Sequence, residues 1–566
     1  MKKKRNIISK YERWEVLYKL KTVKRNLGSR KIKKLLLKNR GIENKVDEKN
    51  FLYPLPPNKL KLYGLGIDSN YVKKAIRRIK KARDKNEKVI VFGDYDVDGV
   101  CSTAILWEFL YTIGLDILPY IPERFSEGYG IKIDGIIKLK KLYPSLSLII
   151  TVDNGIVAHD AVLKAKALGI DIIIVDHHEA GEKYPSAYSV IHTTKLCAAA
   201  ISWVFVRELD KNMGDHGYKS VDSLELAALG TIADQMPQKG VNRSIIKFGL
   251  ESLNNTKRKG LNALYNVSGI KKGNIGIYEI NFIIAPRLNA MGRMKNAIES
   301  LRLICTKNTN KAYALAVLLN DTNRKRQETV DRIVLSVEKK LSGKRLKKII
   351  IVWGKSYHEG VVGLVASKLT EEFFRPAVVI SRQREISKGS ARSILGFNII
   401  KAIKNASDFI IAGGGHKMAA GFSLETRNIP DFKKKLEQYA FKKIKKELLE
   451  KKLKIDLQLE FSDLTKELMK LIDEMRPFGV GNFAPSFLVR RCDILDVKRV
   501  GTSGNHIKFK LKNEKIIFDA ILFNSINDVS IFNVNDKLDI VFNLEENLWN
   551  GNLTLQLKIK DLKLSQ

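Results

Sequence analysis

The sequence contains only four cysteines, and none of them is spaced as a CxxC pair. Zinc ribbons and disulfide frameworks depend on closely paired cysteines, so the sequence argues against both. We therefore expect each of the four to fill apolar space in a reducing compartment. They are Cys101, Cys197, Cys305 and Cys492.

Long apolar runs are also missing. No segment approaches the roughly 20 apolar residues that span a bilayer. The opening MKKKR is not followed by the apolar stretch of a secretory signal, so a cytoplasmic protein is expected. The 566 residues, 44% of them hydrophobic, are too many for one core, and several globular domains are predicted.

Acidic residues are scarce relative to basic ones, 61 against 101, which gives a formal net charge of +40. This excess suits a polyanionic partner. The alternative is a merely basic surface that reflects a lysine-rich composition. Residues 1–52 form a basic arm in which Tyr11, Trp14 and Tyr18 are interleaved with cations in a spacing that suits a helix. The arm would either bind a phosphate backbone or pack on the next domain as an amphipathic extension.

Acidic residues are nevertheless concentrated in one turn, GDYDVDG, which holds Asp94, Asp96 and Asp98. It follows the apolar run VIVF and precedes a helical pattern over 103–113. An apolar run, a glycine-bounded acidic turn and a helix are typical of the carboxyl end of a strand in an open α/β sheet. Because three carboxylates this close repel one another unless a cation or protons offset their charge, the turn predicts a divalent metal site.

Two further predicted strands end in polar clusters. The strand over 147–152 leads into 153–155 (DNG), and the strand over 171–175 leads into 176–178 (DHH). Strands that alternate with helices predict a parallel sheet, and its ligand sites lie beyond the carboxyl ends of the strands. The three clusters should therefore converge. A fourth candidate, Asp234, reads on its own as an ordinary helix-end residue.

Two arginine-containing segments are candidates for binding nucleic acid. PERFSEGYG (122–130) combines Arg124, which suits a phosphate, with Tyr129, which suits a base, although taken alone it reads as an ordinary turn. APRLNAMGRM (285–294) precedes a long helix predicted over 311–341. The alternative to nucleic-acid binding is that any single charged residue there belongs to a solvated face. The candidates in this second segment are Arg287, Asn289 and Arg293.

A second α/β unit is predicted from Lys348, where the strand IIIVW follows. Its glycine-rich stretch 413–421 would let backbone amides approach an anion, and 388–393 adds hydroxyl and guanidinium donors. Each stretch alone suits a tight structural turn, but together they favour binding of a phosphate backbone. The candidates are Ser390, Arg392, Ser393, Gly415 and His416.

The last region, from about Lys454 to Gln566, consists of short alternating segments that predict a small Greek-key barrel such as an OB-fold. Such barrels commonly bind single-stranded nucleic acid, and a purely structural barrel is the alternative. The fold class is thus α/β, with two α/β lobes joined by a long helix and followed by the barrel. The predicted domains are a basic arm (1–52), a catalytic domain (53–270), a helical connector (271–345), a second α/β domain (346–453) and the barrel (454–566).

Several motifs together resemble the DHH/DHHA1 phosphoesterase superfamily in order and approximate spacing. They are GDYDVDG at 93–99, VDNG at 152–155, DHHE at 176–179, LGTIAD at 229–234 and GGGHKMAAG at 413–421. A second set is similar to the RecJ family, bacterial 5′→3′ exonucleases specific for single-stranded DNA. That set comprises RFSEGYG at 124–130, RLNAMGR at 287–293, HEGVVG at 358–363, KGSARS at 388–393 and RPFGVGN at 476–482. One departure is LCAAA at 196–200, where the family usually has a glycine.

The resemblance implies a role for each matched residue. The metal ligands would be Asp96, Asp98, Asp153, His177 and Asp234, for two Mn²⁺ or Mg²⁺ ions. His178 would contact the scissile phosphate, and Asp94 would support the site. The resemblance also implies 5′→3′ degradation of single-stranded DNA to mononucleotides in DNA repair and recombination. It further implies a monomer, with single-stranded-DNA-binding protein and a RecQ-type helicase as partners.

Two other functions remain open at this point. A phosphoesterase of the same superfamily acting on pyrophosphate, cyclic dinucleotides or very short RNA would need neither the barrel nor the basic excess. A DNA-binding scaffold that had lost its metals would not need the carboxylates. A preference for polymers over dinucleotides excludes the first, and Mn²⁺-dependent cleavage excludes the second.

Overall fold

The computed structural model describes residues 9–18, 28–214, 217, 220–501, 504–525, 529–549 and 551–565. The chain divides into two compact units. The parallel-sheet unit comprises residues 49–328 and 477–482, and the barrel unit comprises residues 1–48, 329–476 and 483–566.

The strands of the described residues, in chain order, are β1 (Arg13–Tyr18), β2 (Lys88–Phe92), β3 (Ile117–Tyr120), β4 (Leu146–Val152), β5 (Asp171–Asp176), β6 (Ser189–His192), β7 (Ile350–Gly354), β8 (Ala377–Ser381), β9 (Ile386–Arg392), β10 (Ala412–Gly415), β11 (Ala419–Glu425), β12 (Lys452–Gln458), β13 (Phe487–Val500), β14 (His506–Asn513), β15 (Ile516–Leu522), β16 (Lys537–Trp549) and β17 (Asn552–Leu564).

The α-helices of the same residues are α1 (Ser29–Lys38), α2 (Lys45–Leu52), α3 (Leu62–Leu65), α4 (Ser69–Asp84), α5 (Val97–Thr112), α6 (Ile133–Leu142), α7 (His159–Ala167), α8 (Ala198–Asp210), α9 (Leu224–Ala233), α10 (Gly240–Asn254), α11 (Lys259–Ser268), α12 (Ile277–Glu279), α13 (Ala285–Met294), α14 (Ile298–Cys305), α15 (Thr309–Leu341), α16 (Val362–Phe373), α17 (Ile399–Lys404), α18 (Ile429–Lys443) and α19 (Lys466–Glu474). A π-helical turn, Ile280–Ile284, joins α12 to α13.

The parallel-sheet unit is built on five strands in the order β3-β2-β4-β5-β6, and every neighbouring pair is parallel. The central strands are apolar because both of their faces are covered, which is the usual condition of a parallel sheet. The predicted strands over 147–152 and 171–175 are observed as β4 and β5, each one residue longer. The carboxyl ends of β2, β4 and β5 therefore meet at one edge, as the sequence predicts.

The barrel unit contains two sheets. The smaller has the order β10-β11-β9-β8-β7, with β7 and β8 parallel and the other pairs antiparallel. In the larger, β13-β14-β15-β17-β16 closes on itself through the pairing of β13 with β16. Closure removes the exposed sheet edges, and this strand order is that of a five-stranded Greek-key barrel. The predicted fold class is thereby confirmed. The barrel strands β13, β16 and β17 are longer than the short segments expected.

The N-terminal arm corrects a sequence prediction. Residues 13–18, predicted to be helical, form β1, which pairs in parallel with β12. Trp14 packs with Leu453 and Ile455, and its indole Nε1 donates a hydrogen bond to Asp561 at 2.6 Å. Helix formation loses here because the strand satisfies its backbone groups on the edge of an existing sheet. This part of the arm is packed on its own unit, and the basic runs at 1–8 and 19–27 lie outside the described residues.

Two helices bear on other predictions. The long helix predicted over 311–341 is observed as α15, which contributes residues to both units. The sequence alone also predicts Asp134 as the N-cap of a helix that ends near Leu142, but Asp134 lies inside the first turn of α6, and Lys132 holds the capping position without a side-chain hydrogen bond. No helix within the described ranges is both long enough and apolar enough to cross a membrane.

Candidate metal centre

The predicted clusters converge at one edge of the parallel sheet. Three groups of side chains place one ligand atom each within 4.8 Å of the others. The groups are Asp94, Asp96 and Asp153; Asp98, His177 and Asp234; and Asp153, His177 and His178. Asp153 and His177 each belong to two groups, so the seven side chains form one continuous centre rather than separate sites.

His177 lies between three carboxylates. Its Nε2 is 3.2 Å from Oδ1 of Asp153 and 3.8 Å from Oδ2 of Asp98. Its Nδ1 is 3.8 Å from Oδ2 of Asp234. Burial lowers the pKa of the imidazole, which favours the neutral form that a metal requires as a ligand.

The acidic turn is fixed by two helix N-termini. Asp96 precedes α5, and its side chain accepts a hydrogen bond from the amide of Gly99 at 3.0 Å. Asp98 accepts from the amides of Ala198 at 2.8 Å and Ala199 at 2.9 Å, in the first turn of α8. Unpaired amides and the positive end of the helix dipole favour a carboxylate at such a position. These two amides hold Asp98 in one orientation, although burial raises the pKa of its carboxyl.

Asp153 stands at the end of β4 in a left-handed backbone conformation, with φ of 63°. Such a conformation is strained for a residue with a side chain and is concentrated at functional sites. Gly155, two residues later, has φ of 110°, and a Cβ there would lie 2.6 Å from Oγ1 of Thr151. The glycine of VDNG is thus required by the turn that presents Asp153.

The electrostatics of the centre are unfavourable without a cation. Burial, followed by the charge of Asp98, raises the pKa of Asp153 well above its usual value. Burial and the charge of Asp96 do the same to the pKa of Asp94. The pKa of Asp234 is raised to about 8 by burial and by Asp98. The folded chain therefore holds several carboxylates that are costly to ionise together.

The donor set fits divalent cations. Carboxylate oxygens with imidazole suit Mn²⁺, and carboxylates suit Mg²⁺. Oδ1 of Asp94 is buried with no hydrogen-bond partner, an arrangement that a bound cation would complete. Sequence reasoning assigned Asp94 a supporting role, but the structure places it in the same group as Asp96 and Asp153.

His178 is oriented by a hydrogen bond to Asp176. Its Nδ1 lies 2.8 Å from Oδ1 of Asp176, and its Nε2 lies 3.1 Å from the hydroxyl of Tyr129. Burial alone would lower the pKa of His178, but the hydrogen bond and charge of Asp176 raise it to about 9. The buried Asp176 also accepts from the amides of Ile156, His177 and His178. The centre thus pairs a neutral imidazole with a cationic one.

The segment RLNAMGR (287–293) contacts the acidic turn and helps to fix its backbone. Oδ1 of Asn289 accepts a hydrogen bond from the amide of Val97 at 3.1 Å, and a Cβ on Gly292 would lie 2.5 Å from the carbonyl oxygen of Tyr95. Asn289 was predicted to contact DNA, but its side-chain oxygen is used inside the protein. Arg287 donates to Asn320 and to the carbonyl of Ile283, so its guanidinium also has internal partners.

Arg124 and Tyr129 border the same centre. The Arg124 guanidinium lies over the ring of Tyr95, 4.9 Å from its centroid. Tyr129 donates its hydroxyl to the carbonyl of Asp153 at 3.2 Å and leaves its ring about half exposed. Burial raises the pKa of the Tyr95 phenol, and the positive charge of Arg293 lies near enough to offset part of that increase. The structure thus brings Arg124, Tyr129 and Arg293 to the predicted site.

The barrel unit holds a separate group of phosphate-binding candidates. Arg392 donates through Nη1 to the hydroxyl of Ser390 at 3.1 Å, and both residues belong to β9. A Cβ on Gly363 would lie 3.0 Å from Oγ of Ser390 and 3.2 Å from Nη2 of Arg392, so the first turn of α16 adjoins both side chains. Amides at a helix N-terminus, a hydroxyl and a guanidinium suit an anion.

Two further candidates of this unit lie in other surroundings. The hydroxyl of Ser393 is buried and lies within hydrogen-bond distance of the carbonyls of Phe397 and Ile394. The glycines at 413–415, whose amides are predicted to approach an anion, lie in the strand β10, which pairs with β11. Gly415 is opposite Ala420, and the exposed His416 begins the connection between the two strands. Three consecutive glycines thus form an edge strand here, and β11 bonds to one side of it.

Sequence reasoning missed two contributors to the centre. From the sequence, Asp176 is only the first residue of the DHH triplet, although an acid at the end of an apolar strand and before two histidines is a signal for an orienting partner. The amides of Ala198 and Ala199 carry no side-chain signal, since any residue supplies an amide. Only the fold brings the N-terminus of α8 to Asp98.

Comparison with known families identifies three matching segments. The DHH family N-terminal domain matches residues 88–231, the DHHA1 domain matches residues 346–442, and the RecJ OB domain matches residues 455–561. The first two segments contain most of the candidate metal ligands and the anion-binding candidates of the barrel unit, respectively.

Whole-chain relatives extend this result. The chain is 33% identical over 570 residues to the single-stranded-DNA-specific exonuclease RecJ of Bacillus subtilis, covering 98% of this chain and 71% of the relative. It is 31% identical over 499 residues to the RecJ of Thermus thermophilus, covering 87% and 71%. The crystal structure of the latter protein with Mn²⁺ superposes with a TM-score of 0.81 at 26% identity, covering 98% of this chain and 80% of that one. The Mg²⁺ complex gives 0.76 at 26% identity, covering 98% and 79%.

Proposed function

Since this chain belongs to the RecJ family of exonucleases, we propose that it is a metal-dependent exonuclease that degrades single-stranded DNA. The observation that carries the proposal is the continuous centre of five aspartates and two histidines, four of whose carboxyls have raised pKa values because they are buried together. Such a cluster is favourable in a protein that binds cations, because their positive charge offsets the repulsion between the carboxylates.

Six side chains would hold the cations, with Asp96, Asp98, Asp153, His177 and Asp234 as the proposed ligands and Asp94 within reach of the same site. When bound, two such ions activate water and offset negative charge on the attacking and leaving oxygens of a phosphodiester. The chain's own contribution is to fix the ligand geometry, through the amides that bind Asp98 and the strained turn that presents Asp153.

His178 supplies positive charge toward the phosphate. With its pKa at about 9, the imidazole is protonated at neutral pH, and Asp176 holds it in one orientation. A cation that is already in position stabilises negative charge developing on the phosphate without reorganising the site. Tyr129, whose hydroxyl lies 3.1 Å from Nε2 of His178, bears an exposed ring face on which a base can stack.

The DNA backbone is proposed to contact Arg124 and Arg293 in the parallel-sheet unit and Ser390, Arg392 and His416 in the barrel unit. The closed barrel and the excess of basic residues support a polymeric substrate rather than a dinucleotide. We further propose 5′→3′ polarity and mononucleotide products, a role in repair and recombination, and the domain division predicted from the sequence. Single-stranded-DNA-binding protein and a RecQ-type helicase are proposed partners, and the cytoplasm is the proposed location.

The test is digestion of single strands labelled at either the 5′ or the 3′ end, with Mn²⁺, Mg²⁺ or EDTA. We expect cleavage with either metal and none with EDTA. Immediate release of the 5′ label as a mononucleotide, with the 3′ label retained in shortening products, supports the polarity. Faster cleavage of dinucleotides than of polymers would favour the small-substrate phosphoesterase, and DNA binding without cleavage would favour the scaffold.

A further inference from the structure

A pair of exposed aromatic side chains lies outside the centre described above. Tyr278 and Phe282 place their ring centroids 4.9 Å apart with an angle of 34° between the ring planes. Tyr278 is 63% exposed and Phe282 is 65% exposed. Single exposed aromatic residues are ordinary. Among the ring pairs of the described residues, however, this is the one in which both rings are more than half exposed.

The helix that carries the pair is built in an unusual way. Residues 280–284 form a π-helical turn between α12 and α13. Pro286 explains the turn, because a proline lacks an amide and its ring clashes with the carbonyl four residues earlier, here that of Phe282. The next carbonyl, that of Ile283, accepts a hydrogen bond from the side chain of Arg287 at 2.8 Å. Single π-helical turns of this kind are frequent at functional sites.

The opposite face of the same turn is anchored in the core. Ile280 and Ile284 are completely buried, so the turn has one fixed face and one that presents the two rings to solvent. Rigid aromatic side chains on a fixed backbone lose little conformational entropy when a flat ligand stacks on them. The arrangement therefore suits recognition of a planar group.

The turn is also tied to the metal centre. Oδ1 of Asn281, which lies between the two rings in sequence, accepts a hydrogen bond from Nε2 of Gln235 at 2.8 Å. Gln235 directly follows the ligand Asp234 and has a left-handed backbone, with φ of 59°. The aromatic pair is thus connected to the end of α9 through one side-chain hydrogen bond.

The charge of the chain segment that carries the pair favours an anionic polymer. Residues 269–295 contain one acidic side chain, Glu279, against five cationic ones. The cationic residues are Lys271, Lys272, Arg287, Arg293 and Lys295. An aromatic surface flanked by cations is the usual means of binding single-stranded nucleic acid without sequence preference, with the bases on the rings and the backbone on the cations.

We propose that Tyr278 and Phe282 form a stacking platform for bases of the single-stranded DNA substrate. The platform rests on the proposed function, since it specifies where that substrate is held. It acts in binding rather than in the chemical step. Removing the rings should therefore raise the KM for DNA and leave kcat at saturating DNA almost unchanged.

The experiment replaces both rings without removing their apolar bulk, in the double variant Tyr278→Leu with Phe282→Leu. A conservative double variant, Tyr278→Phe with Phe282→Tyr, keeps two rings. The control is Tyr63→Leu, which removes a 94% exposed ring elsewhere in the same unit. Binding is measured by fluorescence anisotropy in EDTA, so that no strand is cleaved, on an oligothymidylate and on matched strands that carry one abasic residue at each successive position.

For the wild type we expect an abasic residue at one or two adjacent positions to weaken binding, by roughly tenfold per base. The leucine double variant should bind the intact strand about tenfold more weakly and show no penalty at those positions. The conservative double variant and Tyr63→Leu should behave as the wild type.

An abasic profile that is identical in the wild type and the leucine double variant would overturn the platform, and so would an equal loss in Tyr63→Leu. A surface that instead docks a protein would give this unchanged profile. Failure of the proposed function is a separate result, because a wild type that binds the strand and does not cleave it with Mn²⁺ still allows the platform to be measured.

Discussion

The metal centre and the anion-binding group on β9 and α16 solve opposite electrostatic problems. The centre gathers buried carboxylates at the carboxyl ends of parallel strands and becomes stable when cations are added. The group around Ser390 and Arg392 is only partly buried and offers donors to an anion. A buried cluster of like charge needs a strained and heavily supported backbone, as at Asp153, whereas donors to an anion can stand on an ordinary strand. The effects of substitutions in the two regions should therefore differ in size. They should also differ in whether they mainly change kcat or the KM for DNA.

The largest effect is expected from Asp98→Asn. The amide removes a ligand charge and sets an NH₂ group against one of the amides that now donate to Asp98. Cleavage of single-stranded DNA should fall by about 10³-fold or more, through kcat. Asp160→Asn, at an exposed position of α7, is the matched control and should leave the rate unchanged. Equal rates in the two variants would remove Asp98 from the centre.

A smaller loss is expected from Asp176→Asn, which acts through His178 and not through a ligand. Loss of the charge lowers the pKa of His178 and weakens its orientation, so kcat should fall by about 10- to 100-fold while DNA affinity changes little. Steady-state kinetics on a labelled strand measure both constants. The exposed Glu182→Gln controls for loss of a nearby negative charge. An unchanged kcat would mean that the charge on His178 has no part in the reaction.

Arg392→Gln should differ from the substitutions in the metal centre, because it weakens the binding of DNA more than it slows the chemical step. Losing a charged hydrogen bond to a phosphate costs about 1.5–3 kcal/mol, so the KM for DNA should rise roughly tenfold or more with a smaller change in kcat. Arg384→Gln removes the same charge at an exposed position of the same unit. If both variants raise KM equally, the effect is one of general charge and the site on β9 is not specific.

The smallest expected effect concerns the support beneath the acidic turn. In Gly292→Ala, the added Cβ would meet the carbonyl oxygen of Tyr95 and displace the turn. The free energy of unfolding should fall by about 1–3 kcal/mol, and Mn²⁺ should bind more weakly. Gly135→Ala, where a Cβ meets no atom within 4 Å, is the control for helix substitution. Denaturant unfolding with and without Mn²⁺ measures both effects, and similar losses in the two variants would contradict the supporting role.

The metal centre was largely predictable because its side chains stand where apolar strands end. Asp96, Asp153 and His177 each follow such a run, and parallel pairing forces the ends together. Asp234 was not predictable from local pattern, since it lies at the end of a helix like any other and only a family resemblance singled it out.

What the sequence could not predict are roles that depend on the partner of a side chain. Asn289, Arg287 and Ser393 have the chemistry of DNA ligands, yet their polar atoms contact the protein's own backbone or side chains. The helix predicted at 13–18 was wrong for the same reason. Pairing with β12 outweighs the helical spacing of these residues, so they form a strand. Local composition reports the chemistry of a side chain, whereas tertiary contacts decide which group it meets.

The most direct test of the account is the number of Mn²⁺ ions bound by the wild type and by Asp153→Ala, since Asp153 belongs to two of the three ligand groups. Equilibrium dialysis and end-labelled cleavage are measured on the same samples, with DNA binding as the check on folding. We expect about two ions per chain and cleavage in the wild type. The variant should bind fewer ions, bind DNA and not cleave it. A variant that cleaves at the wild-type rate, or a wild type that cleaves without binding Mn²⁺ or Mg²⁺, would contradict the assignment of the centre.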